Sequence, residues 1–223
     1  MTEQNQISNS QNPLNEACKI CNGLRAIETD TGWRQCQCVI DAYKYKRVGV
    51  LWNNNLKTYK PQTDMQKKVF DIVSVSPNES YIFMGDVGTG KTYFMASLFC
   101  KQCNILHRKI EWLSDYDLKQ NFVDIEMKEI DEGIVDRIKS GTVKHLFWDD
   151  IGKAKISDTY LQGIFQLVDT CLIVGCKLCI SSCINFNKIQ SIYGNSITRR
   201  YGNSITRRIE QIMYKILDFG GAK

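Results

Sequence analysis

Gly85-Asp86-Val87-Gly88-Thr89-Gly90-Lys91-Thr92 fits the pattern G-x-x-x-x-G-K-[ST] at every position. Glycines at these places let the backbone curl so that amide N–H groups point at phosphate oxygens. A helix opening at Lys91 adds the positive end of its dipole. Lys91 would reach the β- and γ-phosphates of a nucleotide, and the Thr92 hydroxyl would ligate Mg²⁺. A second set lies farther along, in His145-Leu146-Phe147-Trp148-Asp149-Asp150-Ile151-Gly152. Here an apolar strand ends in two carboxylates. Asp149 is expected to hold Mg²⁺, and Asp150 to orient or deprotonate the attacking water. Taken alone, paired acids after a strand are usually a loop or a helix cap. Their position downstream of a phosphate loop favours chemistry, namely hydrolysis of ATP.

A third set consists of thiols. Cys18, Cys21, Cys36 and Cys38 cluster near the start of a chain with 10 cysteines. The first pair has knuckle spacing and flanks the turn dipeptide Asn22-Gly23. The segment is too short to bury a core of its own, so a tetrahedral Zn²⁺ would supply its folding energy. A closed four-sulfur site is structural rather than catalytic. The other reading is unligated cysteines in a mobile tail. Cys100 and Cys103 also stand two residues apart, but inside a predicted helix, where packing is expected.

The chain that must position these groups has 223 residues, a net charge of +5 and 43% hydrophobic residues, enough for a packed core. No run approaches the ~18 apolar residues of a membrane span. The polar N-terminus has no apolar signal core, so a cytoplasmic protein without disulfides is expected. Composition divides the chain into a disordered tail (1–16), a zinc-binding module (17–40), a basic and aromatic linker (41–62) and a main domain (63–223).

In the main domain the pattern predicts helices over 64–75, 91–106, 157–169 and 205–213, with a further helix starting at Asp115. Strands are predicted over 81–84, 109–113, 143–148, 176–181 and 214–219. Ser114 and Ser157 are placed to cap helices. The charge-rich stretch 124–139 reads as a solvated helix. Alternating strands and helices imply an α/β fold with a parallel sheet covered on both faces. YGNSITRR occurs twice in succession, at 193–200 and 201–208. If helical, the extra copy adds roughly 12 Å and turns the following face by about 80°.

These residues resemble the helicase loaders of the DnaC type and the similar IstB-type transposition ATPases. The resemblance runs from Cys18 to nearly the end. It rests on CNG and CQC, GDVGTGKT, SDYDL, WDDIGK, the ISS strand end and GNSITRRI. Phage-encoded members with such a cysteine module are the nearest match in pattern. The resemblance implies a P-loop AAA+ core, ATP bound between neighbouring subunits, self-association on ATP binding, contact with single-stranded DNA, and assembly on a replicative DNA helicase. It also implies an arginine supplied in trans, which Arg208 matches better than Arg200. A sensor residue, usually Asn, would follow the ISS strand; here Cys183 stands there, with Ser182 as a partial substitute. The family's arginine near Thr170-Cys171 is missing, and Lys223 is the sole candidate for a basic residue past the last strand.

Tyr43, Lys44, Tyr45, Lys46 and Arg47 mix aromatic and basic groups that suit single-stranded nucleic acid, or else an amphipathic helix packing its tyrosines on the core. Arg199, Arg200, Arg207 and Arg208 suit phosphate contact or a subunit interface. The leading expectation is an ATP-dependent loader of a replicative helicase onto single-stranded DNA. The alternatives are an ATPase of DNA transposition and a nucleotide-binding adaptor with little hydrolysis. A small-molecule kinase shares only the phosphate loop.

Overall fold

Tyr81-Ile82-Phe83-Met84 and His145-Leu146-Phe147-Trp148 lack the polar alternation of a half-exposed strand, and strands of that kind are covered on both faces. A computed structural model describes residues 18–106, 109–123, 133–194 and 202–221. It places β3 (Tyr81–Met84), β4 (Ile110–Ser114), β5 (His145–Asp149), β6 (Lys177–Ser182) and β7 (Lys215–Asp218) in one sheet, ordered β4-β5-β6-β3-β7. Every pairing in it is parallel. The phosphate-loop strand β3 and the carboxylate strand β5 are thus separated by β6.

The period of two along each strand splits the core. Tyr81, Phe83, Trp112, Phe147 and Cys179 face one apolar cluster. It is completed by α1 (Gln37–Val48), α2 (Asp64–Val75) and α3 (Lys91–Leu106). Ile82, Leu113, Leu146, Trp148 and Ile180 face the other. That side carries α4 (Asp115–Val123), α5 (Ile134–Lys139), α6 (Asp158–Val174), α7 (Phe186–Gly194) and α8 (Gly202–Ile212).

Local chemistry sets the helix ends. The Thr63 hydroxyl accepts from the Gln66 N–H and opens α2, and the Ser157 hydroxyl does the same for Tyr160 in α6. At α4, Ser114 Oγ accepts from the Asp117 N–H while Asp117 Oδ2 accepts from the Ser114 N–H, a reciprocal capping box. α6 passes the expected end at Asp169 because nothing in Thr170–Val174 breaks it. It stops at Gly175, whose φ of 71° suits a left-handed cap.

The connecting segment 41–62 is helix and loop that pack on the domain: α1 runs unbroken through position 41, and Leu56 and Tyr59, in and beside a 3-10 turn, are buried in the α2–α3 cluster. The stretch read as one solvated helix contains α5, whose Ile134 and Ile138 are buried; residues 124–132 lie outside the described residues. Of the two readings of 43–47, the packed helix is the one Tyr43 fits: it packs on Phe99 and donates its hydroxyl to the Ile110 carbonyl. The expected tail at 1–16, Arg199, Arg200 and Lys223 lie outside the described residues. The two octapeptide copies have different fates. The first contributes Tyr193 to the end of α7, where it is buried, and the second forms the first part of α8 and buries Ile205. The small hairpin of β1 (Ala26–Thr29) and β2 (Gly32–Gln35) sits between the two cysteine pairs.

Candidate nucleotide site

The phosphate loop joins β3 to α3 and is pinned from three directions. Gly85 has φ 145°, and a Cβ there would stand 2.8 Å from the Gly220 carbonyl oxygen, so only glycine fits against the end of β7. The Asp86 N–H donates to that same carbonyl at 3.1 Å. From α2, Gln66 Nε2 donates to the Thr89 carbonyl at 2.9 Å, while Gln66 Oε1 accepts from the Gln62 N–H. Inside the loop, Thr89 Oγ1 donates to the Asp86 carbonyl at 2.8 Å. Gly88 and Gly90 take φ 85° and 87°, which the curl of the loop requires.

Lys91 is buried, and its Nζ donates at 2.7 Å to the carbonyls of both Gly85 and Asp86. Burial pulls its pKa down, opposed by nearby Cys183, Asp150, Asp86 and Asp149. Thr92 Oγ1 donates to Asp149 Oδ1 at 3.2 Å, so the two expected magnesium ligands meet although they come from different strand–loop units. Ser181 Oγ donates to the same carboxylate oxygen at 2.5 Å and accepts from the Asp150 N–H at 2.9 Å. Burial pushes the Asp149 pKa up, its hydrogen bonds from Ser181 and Thr92 oppose this, and Asp150 adds to the rise. A half-buried carboxylate beside a second one and a threonine hydroxyl is a donor set that fits a hard divalent cation.

Asp150 sits at φ 60°, a rare conformation for a residue with a side chain, and ion-pairs through Oδ2 with Lys153 at 2.7 Å. A cleft of ≈ 480 Å³ opens at the carboxyl ends of β3, β6 and β7, lined by residues that include Gly85, Asp86, Cys183, Asn185 and Lys188. Ligands of open α/β sheets bind at this edge. A second groove of ≈ 370 Å³ lies beside Gly90, walled by Tyr59, Gln62 and Tyr93.

Of the expected site residues, the loop Gly85, Asp86, Val87, Gly88, Thr89, Gly90, Lys91 and Thr92 and the pair Asp149 and Asp150 are brought together. Arg208 is on α8, its Nε 2.5 Å from Asp169 Oδ1 and its guanidinium over the Phe165 ring of α6. Ser182 Oγ is bound to the Ile184 carbonyl and N–H. The β6 hydroxyl that touches the Asp149 carboxylate and the Asp150 N–H belongs to Ser181. Ser181, Lys153 and Gln66 escaped the sequence reading. Ser181 reaches Asp149 from the neighbouring strand and Gln66 reaches the phosphate loop from α2, while Lys153 pairs with Asp150 inside the loop after β5.

The four cysteine sulfurs lie within 4.8 Å of one another, with Cys18–Cys36 at 3.8 Å and Cys21–Cys38 at 3.6 Å. Four sulfurs around Zn²⁺ at ~2.3 Å stand about 3.8 Å apart, so the cluster fits a tetrahedral zinc centre. Backbone N–H groups of Cys21 and Ile20 lower the Cys18 thiol to about 7. Burial and the neighbouring sulfurs push Cys38 up, a repulsion that a cation would relieve. Cys100 and Cys103 are buried in α3, and Cys100 Sγ approaches the Trp52 carbonyl at 3.2 Å, as a packed thiol does.

No known protein-family profile and no curated protein matches the chain. Solved structures do. The chain is similar to the DnaC helicase loader at 18% identity over 75% of this chain and 97% of that one, TM-score 0.58. It is similar to DnaI at 15% identity over 77% and 90%, TM-score 0.62. It is also similar to AMPPCP-bound DnaA from Aquifex aeolicus at 15% identity, over 74% of this chain and 49% of that one, TM-score 0.58. Together with the sheet order and the phosphate loop, these likenesses show the fold: a five-stranded parallel sheet flanked by helices that matches a P-loop AAA+ core, here with an N-terminal four-cysteine cluster. Among the described residues no helix is long and apolar enough to cross a membrane.

Proposed function

We propose that this chain is an ATPase that loads a replicative DNA helicase onto single-stranded DNA. One observation carries the reading. A complete phosphate loop meets Asp149 and Thr92 on a fold that overlays nearly the whole length of a helicase loader. Gly85, Asp86, Val87, Gly88, Thr89 and Gly90 present amides to the phosphates, and Lys91 neutralises the β- and γ-oxygens. Thr92 and Asp149 would hold Mg²⁺, which would supply positive charge where the leaving oxygens develop negative charge. Asp150, held at its turn by Ser181 and paired with Lys153, orients the attacking water and takes its proton. The groove beside Tyr59 and Tyr93 has the aromatic walls suited to a nucleobase.

Arg208 acts on the nucleotide of a neighbouring copy, which requires it to leave Asp169 when subunits associate on ATP. Cys18, Cys21, Cys36 and Cys38 would hold Zn²⁺, which would supply the folding energy of a module continuous with α1, and this module would dock the partner. The division into tail, zinc module, connecting segment and ATPase domain follows from these roles. A second reading, a nucleotide-dependent adaptor with slow hydrolysis, is favoured by Cys183, since a thiol positions water less well than a carboxamide.

The test is nucleotide binding and steady-state turnover of the wild type beside Asp150→Asn. The expected result is ATP affinity within about threefold and turnover lower by about 100-fold or more. A wild type that binds no ATP ends the proposal. A wild type that binds ATP without turnover, with or without single-stranded DNA, selects the adaptor.

A further inference from the structure

Asp115 is buried at the start of α4, yet five donors converge on its carboxylate. Oδ1 accepts from Trp148 Nε1 at 3.0 Å, from the Tyr160 hydroxyl, and from the Tyr193 hydroxyl at 3.5 Å. Oδ2 accepts from the backbone N–H groups of Gly152 at 3.1 Å and Ala154 at 2.6 Å. A carboxylate stripped of water needs hydrogen-bond donors for its oxygens. Their identity sets its role. Two belong to the backbone of the loop leaving β5, which carries Asp150 and Lys153. Trp148 is on β5 itself, Tyr160 is on α6 and Tyr193 is on α7.

Ile151 and Ala154 of this loop are buried in the core cluster, and hydrogen bonds fix its backbone. Its start is tied to β6 through Asp150 N–H to Ser181 Oγ and Ile151 N–H to the Ser181 carbonyl. Beyond Ile151, Gly152 has φ 93°, and Lys153 is half-exposed. We propose that Asp115 is the positioning residue of the proposed ATPase site, clamping Gly152 and Ala154 so that Asp150 and Lys153 are held at the phosphate end of the sheet. Through Tyr160 and Tyr193 the same carboxylate ties that loop to α6 and α7. The inference rests on the proposed ATPase reading for what the loop does, and on the hydrogen bonds alone for what Asp115 does.

Asp115→Asn keeps the shape and removes one acceptor. Its amide cannot accept from both the loop N–H groups and Trp148. Misplacing a catalytic group by a fraction of an ångström to an ångström costs about ten- to a hundredfold in rate. The expected result is kcat lower by about tenfold or more with the KM for ATP within about twofold. The control is Glu111→Gln. Glu111 is an equally buried carboxylate on β4, held by Arg47 and Arg137 and remote from the loop. Measured at equal folded fraction, it leaves kcat unchanged. An Asp115→Asn variant with wild-type kcat, or one whose loss matches that of Glu111→Gln, overturns the proposal.

A second measurement needs neither a folded variant nor turnover. In the wild type, hydrogen exchange at the Gly152 and Ala154 amides is expected to be as slow as in the strands of the sheet. Exchange at the rate of an open loop overturns the clamp. A wild type without turnover removes the ATPase reading, and exchange then decides the positioning role by itself.

Discussion

Lys91→Ala separates binding from folding. The ammonium is 5% exposed and reaches two oxygens at once at 2.7 Å. Two phosphate oxygens held in the same way contribute about 3 kcal/mol at ~1.5 each, or a ~150-fold change in affinity. With ATP at 100 times its wild-type Kd, binding stabilises the native chain by about 2.7 kcal/mol, and the variant by about 0.3. For a domain of this size 1 kcal/mol moves Tm by ~2–4 °C, so a ligand shift of about 5–11 °C falls to about 1 °C. Without nucleotide the two proteins should melt within about 4 °C of each other, since burial already disfavours the charge on Lys91. Thermal scans with and without Mg-ATP measure both quantities. A variant that keeps more than half of the wild-type shift refutes the assignment of Lys91 to the phosphates.

Further outcomes follow from other parts of the molecule. Cys36→Ser, at a site of 0% exposure, should lower bound zinc from about one per chain to a small fraction, as read by atomic absorption, and lower Tm. Full zinc in the variant would remove Cys36 from the ligand set. His145 is buried and neutral, its pKa depressed to about 3 by burial and by Lys177. The unfolded chain therefore binds the extra proton below about pH 6.5, and stability falls with falling pH at ~1.4 kcal/mol per unit, about 3 kcal/mol by pH 4. Denaturant titrations should show that this acid limb is absent in His145→Gln. Gly163→Ala places a methyl in the Phe122 ring and should destabilise by about 1–2 kcal/mol despite the gain in helix propensity, with recovery when Phe122 is shortened to Leu.

Residues that work through their neighbours in sequence could be read without coordinates. The phosphate loop needs glycines at fixed offsets, and the apolar runs of β3 and β5 announce buried strands. The four cysteines form their cluster across a hairpin of only a few residues. What escaped are groups whose partners lie far along the chain. Asp115 reads as an ordinary first-turn acid of a helix, yet it receives bonds from residues 33 to 78 positions away. Glu111 reads as one charge in a strand, yet it is fully buried between Arg47 of α1 and Arg137 of α5. Through Arg47, Glu111 fixes α1 and the connecting segment to the sheet. The strand edges moved by one or two residues because their register is set by neighbours in the sheet, which local pattern does not contain.

The central claim is tested most directly by capturing partners from extract of the native cell on the tagged full chain with ATP, using Lys91→Ala as parallel bait. The account predicts recovery of a replicative helicase by the wild type and a clear reduction with the variant. Recovery of a transposase instead, or of no helicase in either arm, would contradict it.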